Sequence, residues 1–241
     1  MSDFAPNATI VLVHGAWADG SCWQNVILPL RQEGLAVTCA PVTLTSLSED
    51  IAALERMLER TNGPVLLAGH AYGGAVIAGP KIERVRCLVY IAALAPAEGE
   101  TVADVFYRAK PHPEAPKLQP DPHGFIWMPE GGFSHAVAHK ASPGQTTIMQ
   151  AVQRPIALKC IQEKGPAPLW KTKPSWFLLA EEDRMISPET QRFMAERMGA
   201  KIRPLPVDHS PMYTAPDLVI AVILEAARQT LAAEAEMSHA R

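Results

Sequence analysis

No part of the chain constrains the architecture more than Leu66-Leu67-Ala68-Gly69-His70-Ala71-Tyr72-Gly73-Gly74. It begins inside a wholly apolar run, Val65 to Ala68, as expected of a parallel strand buried on both faces. It then passes without a spacer into the glycine-rich start of a helix. The pattern G-x-S-x-G turns a strand sharply into a helix and holds its central residue in a strained backbone conformation. Small flanking residues are required because neighbouring backbone passes close by. Gly69, Gly73 and Gly74 supply that room, and every feature of the pattern is present except the serine, whose place is taken by Ala71. An ordinary glycine-rich strand–helix turn shares these features, so the rest of the chain must decide between the two.

On both sides of this turn, short β-branched runs alternate with longer amphipathic stretches, the pattern of a parallel sheet covered by helices. Strands are expected at 9–14, 37–42, 65–68, 85–93, 176–180 and 202–207. Helices are expected at about 21–33, 46–60, 187–198 and 216–235, with a short one from Gly73 that stops at Gly79-Pro80. Gly34 and Gly199 fall where helix C-terminal glycines belong, and 237–241 is expected to fray. The fold class is therefore α/β, a mostly parallel sheet of about six strands with helices on both faces. Residues 96–174 break the alternation. They are rich in Pro, Gly and His, show no clear strand, and carry Phe106, Tyr107, Phe125, Trp127, Phe133 and Trp170. A stretch of that length is normally functional, and its place in the order suggests a cap inserted over the carboxyl edge of the sheet, where open α/β sheets bind ligands. The expected division is core 1–95, cap 96–174 and core 175–241.

Three further segments fall at strand ends. His14-Gly15-Ala16-Trp17 closes the first strand, Asp183 follows the fifth, and His209 follows the sixth. The order nucleophile position, acid, histidine is the one required when G-x-S-x-G carries a Ser-His-Asp triad. An Asp at one strand end is well placed to orient a His from the neighbouring strand's loop. Backbone N–H groups near Ala16 or Trp17, together with that of Tyr72 just after the nucleophile position, are the expected oxyanion donors. Being backbone groups, they do not depend on the side chain at position 71. Trp127 and Met212 are candidates for the substrate pocket. Ser21, Cys22 and Ser210 are weak substitutes for the missing nucleophile. His70 is expected to be a buried structural donor, and His112 and His123 loop residues. His135 and His139 would share a face if helical, but they lack the Glu of a zinc-binding H-E-x-x-H, and no metal is expected.

With these runs in view, the chain resembles the small bacterial α/β-hydrolase-fold proteins related to plant methylesterases and hydroxynitrile lyases. The resemblance rests on TIVLVHGAWADGSCW, GHAYGGAVIAG, LVYIAALAPAEGET, KPSWFLLAEEDRMISPETQRFMAERMGA and DHSPM. It implies the α/β-hydrolase fold without the two leading strands of larger members, a cap after the fourth strand, and no cofactor. Members usually carry GHSYGG where this chain has GHAYGG. Ala71 admits two readings. One is an esterase with its serine replaced, inactive as the sequence stands but built to hydrolyse a small apolar or aromatic ester. The other is a native serine-less member, in which a His209–Asp183 dyad and the oxyanion donors serve proton-transfer, lyase or oxygenase chemistry without a cofactor. A capped apolar pocket also suits binding of a small molecule without turnover.

The composition excludes other classes. Apolar residues make up 48% and charged residues 20% of the chain, ordinary for a globular protein and unlike a disordered one. A net charge of −3 gives no electrostatic reason to expect nucleic acid or an anionic membrane as partner. The four cysteines are far apart, and Cys39 and Cys87 are expected as buried thiols. The first apolar run lacks a basic leader and reads as a core strand, so the expected setting is the cytoplasm. The expected partner is a small molecule, and a homodimer paired through cap or edge elements suits a protein of this kind.

Overall fold

The apolar runs become the centre of a sheet. In the computed structural model, which describes residues 3–233, β1 (Thr9–Val13), β3 (Val65–His70) and β7 (Ser175–Ala180) are buried along their whole length. β4 (Val85–Ile91) is buried except at Arg86. β2 (Ala36–Cys39) and β8 (Lys201–Leu205) form the more exposed edges. The order is β2-β1-β3-β4-β7-β8, and every pairing is parallel. The six expected strands are all present, with ends shifted by a few residues.

Strand alternation sends neighbouring residues to opposite faces, and two cores result. Val11, Val13, Leu67, Tyr90 and Phe177 join one; Ile10, Leu12, Leu66, Val89 and Leu178 join the other. Helix α1 (Gln24–Gln32) and the long α9 (Pro216–Thr230) cover the second face. α2 (Leu47–Leu58), the short α3 (Gly73–Ile77) and α7 (Pro188–Arg197) cover the first. Gly34 and Gly199 follow α1 and α7 with φ of 88° and 62°, the left-handed conformation that favours glycine after a helix. Residues 231–233 have left the helix expected to reach Ala235. Ala235 itself and 237–241 lie outside the described residues.

Between β4 and β7 the chain leaves the sheet. It forms α4 (Val102–Phe106), a π turn at Phe133–Val137, α5 (Pro143–Val152) and α6 (Leu158–Gln162). β5 (Phe125–Ile126) pairs with β6 (Ile156–Ala157) in a two-residue antiparallel ladder, so the expectation of no strand here is corrected. Two capping boxes fix the helix starts: Thr101 with Asp104, and Ser142 with Gln145. The segment is tied to the strand ends by the Trp17 indole N–H, which donates to the Ile126 carbonyl at 2.9 Å, and by the Ala157 N–H, which donates to the Leu44 carbonyl. A last short helix, α8 (Pro211–Thr214), follows β8.

Candidate active site

The turn after β3 is tight enough to dictate its residues. β3 ends at His70 and α3 begins at Gly73, leaving two residues to reverse direction. Ala71 takes φ 48°, a left-handed conformation that costs a residue with a Cβ roughly 1–2 kcal/mol. The turn is held in place: the Ala71 N–H donates to the Ile91 carbonyl at 3.3 Å, and the Ala71 carbonyl accepts from Leu94 at 2.9 Å. The flanking glycines are required by contact. A Cβ at Gly69 would stand 2.5 Å from the Gly73 carbonyl oxygen. One at Gly73 would stand 2.6 Å from that of Val13, and one at Gly74 2.5 Å from that of Leu94. These are backbone atoms and cannot swing aside. The conformation matches what G-x-S-x-G requires at its centre.

Asp183 and His209, from the loops after β7 and β8, meet as the order predicted. His209 Nδ1 lies 2.8 Å from Asp183 Oδ2, and both residues are buried. A carboxylate only accepts, so Nδ1 carries the proton and Nε2 is left with the lone pair a general base needs. Asp183 is held from three other directions. Its Oδ1 accepts the N–H groups of Met185 and Ile186, at 2.7 and 2.9 Å, and its Oδ2 accepts the Gln191 amide at 2.8 Å. Gln191 is fully buried on α7. It also donates to the Ile186 carbonyl and accepts from Ala180. Sequence reasoning missed it, because a helical glutamine eight residues after the acid carries no motif.

His70, just before the turn, is buried with its Nε2 donating to the His209 carbonyl at 2.7 Å. Burial pushes its pKa well below the ordinary histidine value, and the neighbouring His209 adds to that. It is a neutral donor that braces the His209 backbone, in line with the structural role expected. Burial also lowers His14, whose Nδ1 donates to the Gly15 carbonyl.

A cavity with about 560 Å³ of unfilled space opens at Ala71. Ala16, Trp17, Tyr72 and His209 line it with Ala71, beneath apolar walls from 102–161 and from Met185 and Ile186. The N–H groups of Ala16, Trp17 and Tyr72 donate to no described residue. Trp17 takes φ 60°, so the His-Gly loop is sharply bent here. The Tyr72 side chain is anchored away from chemistry: its hydroxyl donates to Asp50 Oδ2 at 2.9 Å. Asp50, fully buried on α2, also accepts the N–H groups of Thr43 and Leu44. Among the described residues, no serine, threonine or cysteine lines the cavity.

Two expected pocket residues are elsewhere. Trp127 is 48% exposed and its indole donates to Asp121, outside the cavity. Its neighbour Ile126 is the buried one, because strand alternation turns successive residues to opposite sides. Met212 is buried in an adjoining hollow that shares Ala16 and Trp17 with the cavity; Ser21, Cys22 and Ser210 line this hollow and not the Ala71 cavity. His135 lies in the π turn and His139 beyond it, and no metal-binding cluster occurs among the described residues. Cys87 is buried as expected, while Cys39 is only partly so.

A model of the alpha/beta hydrolase family matches residues 10–222, from β1 into α9. The chain belongs to the alpha/beta hydrolase family. A carbendazim hydrolyzing esterase from Nocardioides sp. (strain SG-4G) is 34% identical over 122 residues, covering 43% of this chain and 49% of that protein. The chain thus spans about half the length of this curated relative. Among solved structures, a pyrethroid hydrolase from Sphingobium faniae JZ-2 superposes with a TM-score of 0.75 at 21% identity, covering 91% of this chain and 97% of that one. A methylesterase from Arabidopsis gives 0.72 at 18% identity, covering 91% and 98%. At these identities the shared property is the alpha/beta hydrolase fold. No helix among the described residues is long and apolar enough to cross a membrane.

Proposed function

We propose that the cavity takes a small apolar or aromatic carbonyl compound, and that the framework around it is an esterase's. A serine at position 71 would attack the ester carbonyl while His209 Nε2 takes its proton. Asp183 would hold and stabilise the imidazolium, and the Tyr72 and Ala16 or Trp17 N–H groups would receive the charge on the carbonyl oxygen. With Ala71 this covalent route is closed, since losing the nucleophile of such a triad costs about a millionfold in kcat. One observation supports this reading above the others: Ala71, in its left-handed turn, lines the same cavity as a histidine fixed by a buried aspartate. The esterase among the relatives agrees with it.

A second reading follows from what survives without a nucleophile. The His209–Asp183 pair and the backbone donors are independent of the side chain at position 71. They suit proton abstraction from a ketone or phenol, with the N–H groups stabilising the enolate or phenolate, as in cofactor-free lyase or oxygenase chemistry. The apolar walls also suit retention of a ligand without turnover.

The test is hydrolysis of a panel of short-chain aryl esters by this chain and by Ala71→Ser. The expected result is turnover by the serine form, abolished again by His209→Ala, and none by the alanine form. An inert serine form would overturn the esterase reading. Turnover of a ketone or phenol by the alanine form, lost in His209→Ala, would favour the second.

A further inference from the structure

A second chamber lies outside the Ala71 cavity and shares its walls. Phe106, Tyr107, Leu118 and Met185 line both. The outer chamber is wider, with about 1070 Å³ of unfilled space open to solvent. Lys110 and Lys117 stand in its wall, and among the described residues no aspartate or glutamate does. Both lysines are exposed, and neither has an ion-pair partner among the described residues. Lys140, Lys159 and Lys171, by contrast, each pair with a glutamate. The inner cavity is the reverse case: among the described residues, His209 is its only ionisable group apart from two tyrosines.

An apolar chamber ending at His209 and an outer chamber with two uncompensated positive charges thus adjoin across the side chains of Phe106, Tyr107, Leu118 and Met185. We infer that this site selects an amphipathic monocarboxylate. Its apolar or aromatic end fills the inner cavity, and its carboxylate sits in the outer chamber between Lys110 and Lys117. The inference rests on the proposed reading of the inner cavity as the binding site and adds the polarity of its ligand. The apolar end supplies most of the affinity through burial. The lysines supply orientation and selectivity, because a single exposed ion pair contributes little and is screened by salt. A neutral isostere should therefore still bind, but less tightly.

Calorimetric titration of the chain with 5-phenylpentanoate and with 5-phenylpentanamide, at low salt, tests this. The carboxylate should bind about tenfold more tightly, two modest ion pairs acting together. Lys110→Gln with Lys117→Gln should cut that preference to about twofold or less while leaving amide binding unchanged. Added salt should shrink the preference in the unaltered chain, and Lys173→Gln, in neither chamber, should not affect it. Equal binding of the two ligands, a preference that survives the double substitution, or no binding of either would overturn the inference. If Ala71→Ser hydrolyses aryl acetates while acid and amide bind alike, only the outer-chamber assignment fails. If the serine form is inert and neither ligand binds, the reading of the inner cavity fails with it.

Discussion

Gly15 and Ala71 face each other so closely that a Cβ on Gly15 would stand 2.8 Å from the Cβ of Ala71. The same Cβ would be 3.1 Å from the His70 imidazole. The His-Gly loop therefore lies directly against the turn after β3, which is how one stretch at the end of β1 and another at the end of β3 come to line one cavity.

Gly15→Ala consequently has to push that loop away from the turn. Overpacking of this kind costs roughly 1–3 kcal/mol, measurable as a lower midpoint in urea. In the Ala71→Ser background it should also lower kcat by about tenfold to a hundredfold, since a displaced oxyanion donor loses much of its effect. Unchanged stability and rate would mean the loop does not bear on the turn.

Gln191 makes a separate prediction. Gln191→Leu removes one of the two hydrogen bonds to Asp183 Oδ2 and leaves the Ile186 carbonyl and the Ala180 N–H without their partner. Buried groups stripped in this way cost about 1–3 kcal/mol each. In the serine form kcat should fall about tenfold with KM little changed, because Asp183 would hold the imidazole less firmly. A purely structural glutamine would lower stability and leave kcat in place.

Stability should fall with acid in a defined window. Burial holds His70 well below, and His14 below, the ordinary value of 6.5, so the folded chain keeps them neutral where the unfolded chain binds protons. For a group depressed in the folded state, stability is full above the unfolded pKa. It declines as pH drops beneath about 6.5, by at most about 1.4 kcal/mol per pH unit for each histidine, until pH passes that histidine's folded pKa. Urea unfolding between pH 7.5 and 5 should show this slope, reduced in His14→Gln. A flat profile would contradict the buried, neutral assignment.

How much of this was legible in the sequence depended on the range of the interactions involved. The strands announce themselves because burial on both faces demands long apolar runs, as in Val65 to Ala68. Gly69, Gly73 and Gly74 announce themselves because backbone contacts of 2.5–2.6 Å exclude any side chain. Ala71, Asp183 and His209 were legible through their order along the chain, and the structure brings them to one cavity or into contact. The 96–174 segment was less so. A two-residue ladder between Phe125–Ile126 and Ile156–Ala157 is too short to leave a periodic pattern. Whether Trp127 or Ile126 turns inward depends on register, which one chain does not reveal. The partners of Asp183 and Tyr72 were not legible at all, since Gln191 and Asp50 meet them only through the folded backbone.

The most direct test of the central claim is a stopped-flow measurement of 4-nitrophenyl acetate cleavage by Ala71→Ser, with mass analysis of the quenched protein. The account predicts a burst of nitrophenolate and a single acetyl group on residue 71, with no burst in the alanine form or when His209→Ala is added. Acetylation at any other residue, or a burst that survives His209→Ala, would contradict it.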